Sequence, residues 1–317
     1  MVTAARERLS LGMRPATKAQ YLRKWRDFQA FLVATGLPAN KVNVDILLAF
    51  LEFLTQNHLP HSQLANYVSA IRMYAIILAL NTESFSDPRI ALYTKAVKIN
   101  SKFQPVIRPS LDLDILQKII FQTAKLPHKE VFTPLYLLIF FSFLRLSNVL
   151  PHSVAAFDYT RHLTRGDLIF SENNATLIVK WSKTIQDRKQ ISTLVIPGLG
   201  ASPLCPIKAL KAMIRQIPGE KNDPLFLLKL TTKVSILTDS TARKHLKQIS
   251  QILHLPRPLT FHAFRRAGAA WAFQNGVPLE HIRHHGLWSS DAIFRYLDSN
   301  PSASSPVATA FQRALHS

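Results

Sequence analysis

The stretch "LLIFFSFLRLSNVL", residues 137–150, belongs to the most apolar part of the chain and is interrupted by one cation, Arg145. A guanidinium among such side chains must either extend to solvent or be held by a buried partner, because an unpaired buried charge is strongly destabilising. The uninterrupted apolar run, residues 135–144, is ten residues long, well short of a membrane span. We therefore predict a buried helix over 131–149, and the residues leave open whether Arg145 is structural or functional.

A second stretch, "HAFRRAGAAWAFQNG" at 262–276, also places cations at the start of an apolar helix. A helix that begins near Thr260, a suitable N-cap residue, brings His262 and Arg265 to one face near its N-terminus. The helix dipole favours an anion at that end, and the pair together indicates phosphate binding. Arg266 lies about 100° further round the helix, so we expect it to meet a DNA backbone or a nearby carboxylate.

The charge of the chain is strongly positive and evenly distributed. Thirty-nine Lys and Arg residues against 19 Asp and Glu residues give a formal net charge of +20. Residues 1–105 hold 13 basic and 6 acidic side chains, and residues 106–317 hold 26 and 13. This excludes a basic tail on a neutral enzyme and favours a protein that binds a polyanion along its length, although membrane surfaces and ribosomes also fit the charge.

Other features of the composition indicate an intracellular protein. Cys205 is the only cysteine, which excludes a disulfide framework and a cysteine zinc site and favours a reducing compartment. The N-terminal "MVTAARERLSLG" lacks the apolar core of a secretory signal. His281, His284 and His285 come close together, but without a convincing carboxylate set they do not favour a metal site.

The periodicity predicts a mainly α-helical chain with one small antiparallel β-sheet. A helical bundle occupies residues 1–104, a basic, proline-containing linker lies at about 96–112, and a mostly helical domain follows over 105–317. We predict helices from Pro15 towards Gly36 and at 44–57, 61–79, 112–125, 131–149, 203–216, 240–253, 260–274 and 278–284, and strands at 167–171, 175–181 and 191–196.

Two further residues are candidates for chemistry. Lys183 lies in the predicted turn between the second and third strands, where a lysine is commonly just exposed but could also reach into a nucleic-acid groove and deliver a proton. Tyr296 is the only tyrosine after Tyr159. It is either a core aromatic near the chain end or a covalent nucleophile whose hydroxyl needs activation.

The order of these residues resembles the tyrosine recombinase family, also called phage integrases. The resemblance lies in the arginine of "FLRLSN", the lysine of "SKTIQ", the pair in "HAFR", the aromatic in "HGLW" and the tyrosine in "FRYL". These motifs are especially similar to those of the eukaryotic mobile-element branch, the Crypton and DIRS-like recombinases. The resemblance covers nearly the whole chain and implies a helical core-binding domain followed by a catalytic domain.

The resemblance implies a catalytic set of Arg145, Lys183, His262, Arg265 and Tyr296. Tyr296 would attack a DNA phosphate and form a 3′-phosphotyrosyl intermediate, the cations would stabilise the transition state, and Lys183 would protonate the leaving 5′-oxygen. No metal and no other cofactor is implied. The sixth position, a histidine or tryptophan in the family, is assigned to Trp288, because the residue after Gly286 is a leucine, with His285 as the alternative.

One further departure from the family pattern and the expected partners follow from the same resemblance. Asn148 stands where many members have an acidic residue three positions after the first arginine. The expected partner is double-stranded DNA, bound by a tetramer on two DNA sites and contacted by the basic side chains of Lys18, Arg23, Lys24, Arg26, Arg72 and Arg266. The tail 306–317 has helical apolar spacing and would pack either on its own domain or on a neighbouring protomer.

Other functions remain open on the sequence alone. The main function implied is site-specific recombination or integration of a mobile element, located at DNA in the nucleus of a eukaryote or the cytoplasm of a bacterium. A domesticated, catalytically inactive DNA-binding protein is the alternative, supported by the irregular Leu287-Trp288 position. A type IB topoisomerase would share the chemistry, and a basic helical scaffold would fit only the composition.

Overall fold

A computed structural model of the chain describes residues 8–9, 12–13, 15–38, 42–101, 111–181, 191–231, 233–288 and 293–294. The chain divides into two compact units, Met1–Val106 and Ile107–Ser317. Each unit has its own hydrophobic core. The units are described separately.

The first unit is a helical bundle. Its described helices are α1 (Pro15–Ala34), α2 (Val44–Gln56), α3 (His61–Ile77) and α4 (Pro88–Asn100), with a short 3-10 helix at Glu83–Ser86. Side chains at helical spacing, such as Phe28 and Leu32, meet Phe50 of α2 and Ile71 of α3 in a core from which water is excluded. The Asn43 side chain caps α2 by accepting a hydrogen bond from the backbone N–H of Ile46 at 2.8 Å.

The second unit surrounds one buried helix, α6. Its described elements are α5 (Leu113–Thr123), α6 (Lys129–Ser142), α7 (Leu146–Val149), β1 (Leu168–Phe170), β2 (Asn174–Val179), β3 (Ser192–Pro197), α8 (Pro206–Gln216), β4 (Leu227–Lys229), β5 (Val234–Ile236), α9 (Asp239–Ile252), α10 (Phe261–Gln274) and α11 (Leu279–His285). Strands β1, β2 and β3 form an antiparallel sheet in that order. The predicted fold class, mainly α with a small antiparallel sheet, is confirmed.

Helix α6 is apolar around nearly its whole circumference because α10, α8, α5 and β3 cover it. Helix α10 approaches α6 closely at Gly268, where an added Cβ would lie 2.2 Å from the carbonyl oxygen of Phe140. A glycine is required at this position because any side chain would push α10 away from α6. This close packing fixes the start of α10 relative to the end of α6.

Several details of the predicted secondary structure are wrong. The helix predicted at 131–149 is broken, since α6 ends at Ser142 and α7 begins at Leu146. Residues 96–100, assigned to the linker, form the last turns of α4, and 102–110 lie outside the described residues. A second sheet, β4 paired with β5, was not predicted, because each strand is only three residues long. No helix within the described ranges is long and apolar enough to cross a membrane.

A buried tyrosine and histidine pair joins α6 to α9. The Tyr136 hydroxyl and His245 Nδ1 are 2.6 Å apart, and the Phe132 ring stacks on the His245 ring at 3.7 Å between centroids. Burial, assisted by the nearby His128, lowers the pKa of His245 to about 4 from its ordinary 6.5. The imidazole is therefore neutral in the folded protein at neutral pH.

Acidification should destabilise the second unit through His245. Below pH 6.5 the unfolded chain binds a proton at this residue that the folded chain binds only at about pH 4. The free energy of unfolding should therefore fall between these values by on the order of 3 kcal/mol. Denaturant titrations of wild type and His245→Leu at pH 7, 6, 5 and 4 would measure this, with a shallower decline expected for the variant. His254→Asn, at an exposed position, should keep the wild-type slope; equal slopes for wild type and His245→Leu would contradict the prediction.

Candidate active site

The site forms where α6 breaks. Phe143, directly after the last residue of α6, adopts the left-handed conformation with φ 53° and ψ 22°. Arg145 is extended, with φ −76° and ψ 147°, and stands at the N-cap of α7. The break removes the Phe143 carbonyl from regular helical hydrogen bonding and leaves the Arg145 side chain half-buried at the edge of the core. The cation in the apolar run thus lies at a turn rather than inside a helix.

Arg265 binds the same break from the opposite helix. It is 1% exposed, and its Nη1 donates a hydrogen bond to the carbonyl oxygen of Phe143, two residues before Arg145. Its guanidinium carbon lies 3.8 Å from the centroid of the Trp288 ring, a close cation–π contact. A carbonyl and an aromatic face therefore fix the Arg265 guanidinium beside the turn that carries Arg145.

His262 occupies the first turn of α10 and differs from Arg265 in burial. Its side chain is exposed, three residues before the buried Arg265. Thr260 is the N-cap residue, as predicted, with an extended backbone, but its side chain makes no capping hydrogen bond. Arg266 is half-buried on the next position of the helix. The start of α10 thus places one cation in the core and a histidine at the surface.

Trp288 reaches Arg265 through an irregular end of α11. Leu287 adopts the left-handed conformation with φ 55°. The backbone N–H of Trp288 bonds to the Arg283 carbonyl, and that of Leu287 to the His284 carbonyl, which are the two bonds of a Schellman motif. This turn folds the Trp288 ring against Gly286, where an added Cβ would lie 1.7 Å from the ring. Leu287, which separates Gly286 from Trp288, therefore forms the left-handed residue of this motif. The assignment of Trp288 to the sixth catalytic position stays a prediction.

His285, the alternative for the same position, packs on Phe143. Its ring is edge-on to the Phe143 ring at 4.8 Å, and its Nε2–H donates to the Phe141 carbonyl at 2.8 Å. Burial lowers the pKa of His285, with the Phe141 hydrogen bond opposing the shift. His285 thus supports the end of α6, whereas Trp288 is the candidate that contacts Arg265.

Asn148 and the end of β2 form a part of the site whose role sequence reasoning missed. Asn148 is 2% exposed; its Oδ1 accepts from the Arg145 N–H at 3.2 Å, and its Nδ2 donates to the Trp181 carbonyl at 2.9 Å. The neighbouring Lys180 pairs with Asp167 at 2.6 Å. The only sign of this role in the sequence was the amide of Asn148 at a position where the family resemblance implies an acidic residue.

The remaining predicted site residues fall into two groups. Lys183 and Tyr296 lie outside the described residues. Among the basic residues of the first unit, Arg23, Arg26 and Arg72 are exposed and Lys18 is half-buried.

Lys24 differs from these because it lies in the seam between α1 and α3. It is 6% exposed; its Nζ donates to Gln63 at 3.3 Å and lies 4.0 Å from the centre of the Tyr67 ring. Burial lowers its pKa, against the opposing attraction of Asp27. The prediction that Lys24 contacts DNA does not fit this position, because its ammonium is occupied inside the bundle.

The described residues contain no group of three or more His, Cys, Asp or Glu side chains placed to hold a metal ion. Of the three histidines of α11, His281 and His284 are exposed, and the His285 ring bonds to the Phe141 carbonyl of α6.

Comparison with solved structures places this fold among DNA recombinases. The XerH site-specific recombinase, in a post-cleavage complex with its difH substrate, matches with a TM-score of 0.62 at 16% identity, over 94% of this chain and 79% of that chain. The Tn1549 transposon integrase, bound to transposon right-end DNA, matches with a TM-score of 0.63 at 14% identity, over 95% and 93%. A lambda integrase dimer on a core site matches with a TM-score of 0.59 at 16% identity, over 93% and 75%.

These likenesses define the class of fold, the tyrosine recombinase fold, across nearly the whole chain. At the sequence level, no protein-family model and no curated protein matches the chain. The fold is therefore shared at identities of 14–16% in these comparisons.

The contact between Gly286 and Trp288 can be tested by a double-mutant cycle. Gly286→Ala should lower the free energy of unfolding by roughly 1–3 kcal/mol, because the methyl group enters the space of the Trp288 ring. In a Trp288→Ala background the ring is absent, so the same substitution should cost much less. Chemical denaturation of the four proteins gives the coupling energy. Equal effects of Gly286→Ala in both backgrounds would show that the ring does not lie against Gly286.

Proposed function

We propose that this chain is a tyrosine recombinase that cuts and rejoins DNA through a 3′-phosphotyrosyl intermediate. One observation carries the proposal: Arg265 is fixed by Trp288 and by the Phe143 carbonyl beside the turn that presents Arg145. Two guanidiniums at one turn suit an oxyanion, because each can donate two parallel hydrogen bonds to a phosphate. The shared fold and the order of the sequence motifs support the same function.

In the proposed cleavage step the Tyr296 oxygen forms a bond to the scissile phosphorus and gives its proton to water. The bond from phosphorus to the 5′-oxygen breaks, and Lys183 gives that oxygen a proton. Arg145, Arg265 and His262 bind the non-bridging oxygens, where charge develops in the transition state. Rejoining is the reverse reaction with a new 5′-hydroxyl. One phosphoester is exchanged for another, so the bond energy is conserved.

In this proposal Leu287 can stand directly after Gly286, because Trp288, one residue later, orients Arg265. Guanidinium groups have five N–H donors, so one group can bond to a carbonyl and also bind an oxyanion. Trp288 contributes its ring face to Arg265, which keeps the guanidinium plane oriented. In this proposal Trp288 acts on the phosphate chiefly through Arg265, and His285 supports the turn from the side of α6.

The proposed partner is double-stranded DNA. A net charge of +20 is carried by both halves of the chain, and phosphate neutralisation supplies most of the affinity in non-specific DNA binding. Arg23, Arg26 and Arg72 are the exposed members of the predicted contact set in the first unit. We propose these three as backbone contacts, together with Lys18, and propose Arg266 as a contact from α10.

The proposed assembly is a tetramer on two DNA sites, acting on a mobile element related to the Crypton and DIRS-like branch. One of the compared structures is a lambda integrase tetramer on a Holliday junction. A groove of about 480 Å³ beside α10 and α11 has apolar walls that include Trp271, Ile282 and Val195. We propose that the apolar side chains of 306–317 occupy this groove on a neighbouring protomer. The protein would be located at DNA, in the nucleus of a eukaryote or in the cytoplasm of a bacterium.

Covalent trapping tests the proposed chemistry. Wild type incubated with nicked suicide duplexes that carry the sequences flanking its coding region should form a protein–DNA adduct that survives denaturing electrophoresis. Tyr296→Phe should lose the adduct while gel-shift binding persists, because only the nucleophile is removed. Wild-type binding without any adduct would instead identify an inactive DNA-binding protein, and sequence-independent plasmid relaxation by a monomer would identify a topoisomerase.

Trp288 substitutions test the positioning of Arg265. Trp288→Phe keeps an aromatic face and should cleave within about tenfold of wild type, whereas Trp288→Ala should lose roughly thirtyfold, as expected for a desolvated cation–π contact. Initial rates of adduct formation on a suicide duplex measure both. Phe121→Ala is the matched control, because it removes an exposed cation–π pair with Lys125 at 4.0 Å. Equal losses in Trp288→Phe and Trp288→Ala would show that the indole N–H is required instead.

A further inference from the structure

Asn148 connects two segments that the proposed reaction uses. On one side its Oδ1 accepts from the backbone N–H of Arg145, and on the other its Nδ2 donates to the carbonyl of Trp181. Arg145 belongs to the turn after α6, and Trp181 follows the end of β2 at Val179. Asn148 and Trp181 are 33 residues apart in the sequence. The Asn148 side chain therefore fixes the distance between two segments that are far apart along the chain.

The amide of Asn148 satisfies both partners at this position. A backbone N–H requires an acceptor, and a backbone carbonyl requires a donor. Asn148 is 2% exposed, so water cannot readily replace a lost bond, and leaving a buried group unsatisfied is costly. A carboxylate would accept from Arg145 but would place an oxygen against the Trp181 carbonyl. The asparagine is therefore matched to the main chain at the end of β2.

The end of β2 is also held on its other sides. Lys180 pairs with Asp167 at 2.6 Å and donates to the Tyr159 carbonyl. The Arg161 guanidinium lies 5.1 Å from the centre of the Trp181 ring. Lys183 follows Trp181 by two residues in the sequence, so the chain connects it directly to this anchored strand end. The anchored strand end limits where the lysine can be placed.

We propose that Asn148 is a positioning residue that sets the base of the β2–β3 connection relative to Arg145, so that Lys183 reaches the leaving 5′-oxygen. The role rests on the proposed function. It assigns to Asn148 an effect on protonation of the leaving group, separate from the binding of the non-bridging oxygens by Arg145. Loss of the bond to Trp181 should impair protonation first.

A 5′-bridging phosphorothiolate duplex separates these effects. In this substrate sulfur replaces the 5′-oxygen, and the thiolate leaves without a proton because thiols are far more acidic than alcohols, with a pKa of about 8.5 for cysteine. Asn148→Asp and Asn148→Leu should cleave the ordinary duplex on the order of ten- to a hundredfold more slowly than wild type. Asn148→Asp, which keeps an acceptor for the Arg145 N–H, should cleave the phosphorothiolate duplex at close to the wild-type rate, as should Lys183→Ala. Asn148→Leu also loses that acceptor and should recover only part of the wild-type rate. Arg145→Ala should remain slow on both substrates.

Three controls make the result specific. Asn275→Asp makes the same chemical change at an exposed asparagine whose Nδ2 donates to the Trp271 carbonyl at 2.8 Å, and it should match wild type on both substrates. Thermal unfolding shows whether each variant is folded, and Asn148→Asp, which keeps the size of the side chain, serves if Asn148→Leu is not. Amide hydrogen exchange at 177–181 should be faster in both Asn148 variants.

The outcomes distinguish this role from the proposed function. If the Asn148 variants are equally slow on both substrates, or as fast as wild type on the ordinary one, the positioning role of Asn148 is wrong. The proposed recombinase function would still stand. If wild type forms no adduct with either substrate, the proposed recombinase function is wrong, and the positioning role of Asn148 is wrong as well.

Discussion

The hydrogen bond from Arg265 to the Phe143 carbonyl is the interaction around which the site is built. It requires a carbonyl that the α6 helix does not use, and the left-handed conformation of Phe143 supplies one. It also requires α10 to approach α6 closely, which Gly268 allows. The same break turns the chain so that Arg145 emerges at the edge of the core. The hydrogen bond to the Phe143 carbonyl thus buries Arg265 beside the turn that carries Arg145. The cost of desolvating Arg265 is offset by its contacts with that carbonyl and with the Trp288 ring.

Main-chain contacts arrange much of the second half of the site, beside the ion pair of Lys180 with Asp167. Asn148 links the Arg145 turn to the end of β2, and the Schellman motif after α11 folds Trp288 beneath Gly286 onto Arg265. Backbone groups have fixed positions and carry no net charge. A site built on them can hold cations close together and still present positive potential to a phosphate.

Much of the site could be predicted because its residues lie in regular elements of distinct composition. Helix boundaries near 44–56 and 261–274 follow from apolar periodicity, and the assignment of His262 and Arg265 to one helix start follows from their spacing. The break at Phe143 could not be predicted, since no glycine, proline or other helix-stopping residue stands between 137 and 144. The burial of Lys24 was missed because periodicity places a side chain on a face but does not show whether Tyr67 and Gln63 of another helix cover it.

The sequence alone determined the class of fold, the excess of positive charge and the identity of the residues that could perform chemistry, because composition, periodicity and motif order are local properties of the chain. Tertiary structure alone decided which of these residues meet. Arg265 and the Phe143 carbonyl are 122 positions apart, and Trp288 touches Arg265 only because Leu287 is left-handed. Such contacts depend on where helices end and how closely they pack, and these are set by the core as a whole.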